Sequence, residues 1–172
     1  RVGSSLEMNI YLKSRLEVKD TAQAQIIGTF GKIHLPKIII KDCEKHIIVS
    51  GTAFNFLNVM IPCELPAVNF EWSNSPLHLI SVRDPKRRDA VFAVYASRVA
   101  YWKWLVEGDG FHVSQAFLKG IKMPVLSDDK WEVLGDLGRR LWVEMSRSPK
   151  ISLNGGRSTV SFAPFIAEPY LR

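Results

Sequence analysis

The sequence predicts an α/β fold of the α+β kind, in which a small mixed or antiparallel sheet is packed by a central buried helix. Three segments predict it: a β-rich half at about residues 1–82, a helical half at about 83–148, and a C-terminal hairpin or tail at 149–172. The chain has 172 residues, of which 47% are hydrophobic, and can therefore bury one core. We expect a single domain.

The β-rich half is marked by short runs of isoleucine and valine, separated by glycine, proline or charged residues, as is typical of strands. The runs lie at residues 26–27, 38–40, 47–49 and 59–61, and residues 78–82 form a further candidate strand. Within residues 51–59, Phe54 and Phe56 alternate with Asn55 and Leu57. We expect one apolar face there and an opposite face that can present asparagines.

The clearest helix begins where Asp84 can cap the free amides and Pro85 suits the first helical position. Apolar residues cover most of its circumference as far as about Glu107, so we expect a central core helix that packs on several sides. The Gly108-Asp109-Gly110 sequence then stops it.

Further caps and turn residues define the rest of the chain. They predict a short helix capped by Ser114 and ended by Gly120, an extended stretch at 121–125, a helix capped by Ser127 that ends before Pro149, and strands at 150–153 and 157–162 joined by an Asn-Gly-Gly turn.

Charge, cysteine content and apolar content indicate which kind of partner and which cellular compartment the chain suits. The net charge of +6 and the pI near 9.4 favour a polyanionic partner. Cys43 and Cys63 have no histidine or carboxylate at metal-ligand spacing, so a reducing, cytoplasmic setting fits best, with a disulfide between them as the alternative. Residues 90–106, the longest apolar stretch, are too short and too charged to cross a bilayer. The start at Arg1, without a targeting signal, suggests a fragment of a larger chain.

Catalytic patterns are missing from the sequence. The four histidines lie far apart, and none shares a local metal or triad pattern with cysteines or carboxylates. There is no Walker loop, and no Asn-Pro-Pro-aromatic sequence of the kind that amino-methyltransferases use to hold a flipped base. We therefore expect no catalytic residue, metal or cofactor in this chain.

A basic turn opens the central helix. Lys86, Arg87 and Arg88 lie where the helix dipole disfavours cations, so a bound phosphate would explain their placement. The alternative is a solvated surface turn.

An aromatic cluster, Tyr101-Trp102-Lys103-Trp104, follows within the same helix. It could stack on bases, but successive helical residues point in different directions, so packing in the core is the favoured interpretation for Trp102 and Trp104.

The loop after the helix carries His112, Ser114 and Gln115, which could contact base edges or phosphates. The alternative is that Ser114 only caps the next helix and His112 only packs.

The order of these elements, including Gly108-Asp109-Gly110-Phe111-His112-Val113-Ser114 and Ile121-Lys122-Met123-Pro124, resembles the target-recognition domain of fused type II restriction-modification methyltransferases. The same order is also similar to each half of type I specificity subunits. The resemblance covers residues 77–145. The resemblance implies a DNA-specificity module that reads duplex DNA in the major groove. It also implies a preceding methyltransferase domain with S-adenosylmethionine in the same parent chain, an N6-adenine methyltransferase or restriction enzyme.

The expected function is thus sequence-specific binding of double-stranded DNA, without catalysis by this fragment. The alternatives are a protein-interaction domain of a larger enzyme and a hydrolase that pairs His112 with Asp109. The expected DNA contacts are Lys86, Arg87, Arg88, Lys119 and Arg157 to phosphates, and Asn55, Asn58, His112, Ser114 and Gln115 around the bases.

Overall fold

The computed structural model describes residues 25–33, 43–64, 76–154 and 157–164. Within them the fold is α+β, as predicted: helices pack on a four-stranded antiparallel sheet, and a two-stranded hairpin follows. The strands are β1 (Ile27–Ile33), β2 (His46–Ser50), β3 (Val59–Met60), β4 (Leu77–Val82), β5 (Lys150–Asn154) and β6 (Arg157–Ser161). The helices are α1 (Arg88–Ala96), α2 (Arg98–Glu107), α3 (Gln115–Gly120) and α4 (Asp128–Arg147).

The sheet has the strand order β1-β4-β2-β3, and all of its pairings are antiparallel. Three consecutive residues of β2, Ile47, Ile48 and Val49, are fully buried, so both faces of this inner strand are covered. This explains why β2 reads as a continuous apolar run rather than as an alternating pattern. The predicted strands at 47–49, 59–61 and 78–82 are confirmed, whereas residues 38–40 lie outside the described part.

The single central helix was a wrong prediction, because the segment divides at Ser97 into α1 and α2. Ser97 has an extended backbone, its hydroxyl accepts a hydrogen bond from the Ala100 amide at 3.1 Å, and it donates to the Val94 carbonyl at 2.7 Å. A serine in this geometry starts a new helix. The predicted cap is confirmed, since the Asp84 carboxylate accepts from the Lys86 amide, but it opens a short 3-10 helix (Pro85–Arg87), and the α-helix itself begins only at Arg88.

Burial differs between the two halves of that segment. In α1 most side chains are buried, and its Phe92 ring meets Trp142 of α4 edge to face at 5.6 Å. In α2 only Ala100 and Trp104 are buried. The expectation of a helix packed on several sides therefore holds for α1 alone.

The C-terminal hairpin is confirmed, with its turn residues 155–156 outside the described part. Asn58 fastens it to the domain: its side-chain nitrogen donates to the Val160 carbonyl at 3.2 Å, and its oxygen accepts from the Phe162 amide at 3.0 Å. Both ends of the Asn58 amide are thus engaged in holding the fold. Residues 121–125 pair with no strand among the described residues, so the extended stretch there is not part of a sheet.

The expectation of free thiols was wrong, because Cys43 and Cys63 form a disulfide with their Cα atoms 5.4 Å apart. The two cysteines lie in short 3-10 helices, one just before β2 and the other just after β3. Since β2 and β3 are antiparallel neighbours, the start of one lies beside the end of the other. The bond removes the cysteine-based argument for a reducing compartment.

Among the described residues, every helix is too short or too polar to span a membrane.

Reduction of this disulfide should destabilise the domain. The bond joins residues 20 positions apart, and a loop of that size restricts the unfolded chain enough to contribute about 3 kcal/mol. We expect the urea midpoint to fall when dithiothreitol is added, and the doubly substituted C43S/C63S variant to show the lower midpoint with or without reductant. An unchanged midpoint in the reduced wild-type chain would contradict this expectation.

Candidate nucleic-acid interface

Two loops far apart in sequence meet at one surface: residues 51–58, between β2 and β3, and residues 108–114, between α2 and α3. We call them the paired loops. The Ala53 amide donates to the Phe111 carbonyl at 3.0 Å, and the Val113 amide donates to the Gly51 carbonyl at 2.9 Å. The strand-like alternation expected for residues 51–59 is thus reduced to one isolated bridge. The buried His78 of β4 anchors this pair to the sheet by donating from Nε2 to the Val113 carbonyl at 2.6 Å.

Asp109 fixes the second loop. Its carboxylate accepts from the amides of Phe111 and His112 and contacts Nδ1 of the His112 ring at 2.7 Å. The His112 ring and the two amides lower the pKa of Asp109 to about 2, so it is ionised at neutral pH. Gly110 supplies the turn with a positive φ of 82°.

The Asp109–His112 contact also resembles the pairing of a general base with the carboxylate that orients it. The His112 side chain is 67% exposed, and its Nε2 atom has no hydrogen-bond partner among the described residues. Both cysteines are in the disulfide, and no described hydroxyl is bonded to His112. The geometry orients His112 outward from the loop without adding a nucleophile to the pair.

Aromatic rings are exposed beside these loops. Phe54 is 65% exposed, Phe111 43% and Trp102 46%, and the Phe54 and Phe111 rings pack edge to face at 5.3 Å. The expectation that Trp102 packs in the core was therefore wrong. The same expectation is confirmed for Trp104, which is 1% exposed and donates from its indole nitrogen to the His112 carbonyl at 2.9 Å. The difference arises because α2 contacts the core along one side only.

A cleft opens next to the helix break, between the first loop and α2. Its volume is about 250 Å³. The Tyr101 hydroxyl donates to the Phe54 carbonyl at 2.7 Å and so ties the loop to the helix across one end of it. The lining residues are Asn55, Phe56, Ala96, Ser97, Arg98, Tyr101, Trp102 and Pro164. Of these, only Asn55 belonged to the predicted DNA contacts.

The basic turn is largely neutralised by acids. Arg87 contacts Asp128 at 2.9 Å and lies over the Trp131 ring, while Arg88 contacts the buried Asp89 at 2.7 Å. These ion pairs explain two of the three cations without a phosphate. Lys86 is exposed.

The other predicted contacts fall in several places. The Ser114 hydroxyl accepts from the Phe117 amide at 3.1 Å, which is the capping role, and Gln115 is half-buried in the first turn of α3. Lys119 is exposed at the end of α3, with its ammonium over the Phe30 ring at 5.7 Å. The backbone of Arg157 is in β6, and its side chain lies outside the described part.

Comparison of the chain with models of protein families, with curated proteins and with solved structures finds no match. Within the described ranges, no group of three or more histidine, cysteine, aspartate or glutamate side chains could hold a metal ion.

Proposed function

We propose that the chain binds duplex DNA with sequence specificity, as the target-recognition module of a restriction-modification methyltransferase. One observation carries the proposal: the backbone pairing of residues 51–58 with residues 108–114 brings together the loops that present Asn55 and His112. Binding and recognition residues commonly lie on loops held by a rigid scaffold. The buried His78 and Trp104 provide that scaffold here.

The chemistry of the paired loops suits base edges. Asn55 offers a donor and an acceptor in one plane, the pattern that pairs with adenine, and His112 offers a ring nitrogen. Asp109 orients the His112 ring, which lowers the entropy lost on contact. The net charge of +6 provides attraction to phosphates, with Lys86 and Lys119 as the exposed cations that we retain from the predicted set. Asn58, Arg87 and Arg88 are omitted because the fold engages them.

The module would serve a methyltransferase domain elsewhere in a parent chain, which would bind S-adenosylmethionine in the cytoplasm. An N6-adenine methyltransferase or restriction enzyme is the parent that we propose, and this chain contributes no catalytic group to it. The disulfide argues against the cytoplasmic part of this proposal, because cytoplasmic proteins seldom keep such bonds.

A second candidate function is a protein-interaction domain of a larger enzyme. It is favoured by Val99, Trp102 and Leu105, which are exposed on α2 at helical spacing. The two functions are compatible, because a recognition module must also contact its catalytic domain.

Selection from a random-sequence duplex library should enrich a defined sequence. His112→Ala should then weaken binding to that sequence about five- to one-hundred-fold while leaving the affinity for random duplex nearly unchanged. Asp109 would still accept from the two loop amides, so the loop should keep its shape. Lys86→Gln should instead weaken binding to all sequences equally, and it should lower the slope of log affinity against log salt by about one.

Arg140→Gln is the matched control for charge, because Arg140 is also exposed but lies on α4 rather than at the basic turn. It should leave the salt slope unchanged. A library from which no sequence is enriched, together with no binding of duplex at low salt, would contradict the proposed function.

A further inference from the structure

We propose that the cleft beside Ser97 receives an unpaired nucleobase of the bound nucleic acid. The proposal rests on the proposed DNA binding and deepens it, because it assigns a ligand to a site that lies between the first of the paired loops and α2. The bound strand would follow the loop surface while one unstacked base enters the cleft.

The aromatic walls of the cleft are suited to stacking. Trp102 has nearly half of its surface exposed although it lies in a helix that carries other side chains into the core. Tyr101 is held from two sides, since its ring stacks on the buried Trp104 ring at 5.7 Å with an interplanar angle of 22°, and its hydroxyl is bonded to the Phe54 carbonyl. A rigid aromatic wall loses little entropy when a planar ring stacks against it.

The polar groups of the cleft select among planar ligands. Asn55 is exposed, and its amide has no hydrogen-bond partner among the described residues, so it can both donate to and accept from a base edge. Arg98 adds a guanidinium, which favours both aromatic faces and phosphate oxygens. An aliphatic ligand would not use the hydrogen-bonding groups of the Asn55 amide. A base offers a planar ring to the aromatic walls and a hydrogen-bonding edge to that amide.

Size supports a single base. The cleft of about 250 Å³ is smaller than the roughly 300–1,000 Å³ of pockets that enclose drug-sized ligands or cofactors. It is also open along the exposed Trp102 ring, as an entry route from a nucleic-acid strand requires.

The test compares two duplexes that differ only by one unpaired adenine, using fluorescence anisotropy with the full chain. We expect the duplex with the unpaired adenine to bind about five- to one-hundred-fold more tightly, the range that base–aromatic stacking provides. Trp102→Ala should abolish this preference without weakening the fully paired duplex. Leu105→Ala is the matched control, because Leu105 is equally exposed on α2 but does not line the cleft. It should keep the preference.

Equal affinity for the two duplexes, or a preference that survives Trp102→Ala, would overturn the cleft assignment and leave the proposed DNA binding intact. Failure to bind either duplex would overturn the proposed function instead. The cleft would then be tested with deoxyadenosine monophosphate alone, by NMR of the tryptophan indole resonances. The Trp102 indole resonance is identified as the one that disappears in Trp102→Ala. If deoxyadenosine monophosphate shifts this resonance in the wild-type chain, the assignment is supported, and if it does not, the assignment is overturned.

Discussion

Trp104→Ala should lower the free energy of unfolding by about 3–5 kcal/mol, as expected for truncation of a large buried aromatic side chain. Trp104 is fully enclosed, and its ring supports Tyr101. Its indole nitrogen donates to the His112 carbonyl, so the truncation also releases residues 108–114 from the helix. Urea denaturation followed by far-UV circular dichroism would measure the loss.

Trp102→Ala is the matched control, two residues away in the same helix. Because Trp102 is nearly half exposed, we expect its free energy of unfolding to change by less than about 1 kcal/mol. Similar losses in the two variants would show that the division of α2 into a buried and an exposed side is incorrect.

The parts of the fold that follow from local rules were predictable from the sequence. Asp84 and Ser114 accept from backbone amides as expected, because each offers a short oxygen acceptor at the start of a helical turn: Asp84 caps the 3-10 helix before α1, and Ser114 caps α3. The Gly108-Asp109-Gly110 stop is likewise confirmed. In each case the signal lies within a few residues of the structure that it determines.

The break at Ser97 shows where such rules are insufficient. Serine occurs within helices as well as at their ends, and the apolar pattern continues across this position. Only the hydrogen bond from the Ala100 amide shows that a second helix begins there. Beyond the break α2 contacts the core along one side only, which is why the exposure of Trp102 was missed.

The candidate site depended on contacts that no local pattern contains. The pairing of residues 51–58 with residues 108–114 joins segments about a third of the chain apart, and the sequence indicated only that each carried plausible side chains. Phe54 and Phe111 were not identified, because the sequence does not distinguish an exposed aromatic residue from a buried one. Arg98 was not identified, because the cleft that it lines forms only where the first loop meets α2. The ion pair of Arg87 was not predicted, because its partner Asp128 becomes a neighbour only after folding. The partner of Arg88 is the adjacent Asp89, whose burial in α1 the sequence does not show.

Gly138→Ala should be strongly destabilising, because the backbone of α1 lies directly against this glycine of α4. A Cβ atom there would overlap the backbone carbonyl oxygen of Asp89 and lie 3.3 Å from Cβ of Ala93. The first contact involves backbone, so the two helices would have to separate. That separation would also strain the ion pairs of the buried Asp89 with Arg88 and Arg139. We expect a loss of about 3 kcal/mol, at the upper end of the usual range for overpacking.

Gly135→Ala provides the control within the same helix. A Cβ at Gly135 would meet nothing within 4 Å, and alanine is the better helix former. We therefore expect this variant to gain about 0.5–1 kcal/mol, because the unfolded chain loses conformational freedom while the packing is unchanged. The two variants should thus move the urea midpoint in opposite directions. If both stabilise the domain, or if both are neutral, α1 and α4 do not meet at Gly138 as closely as the structure places them.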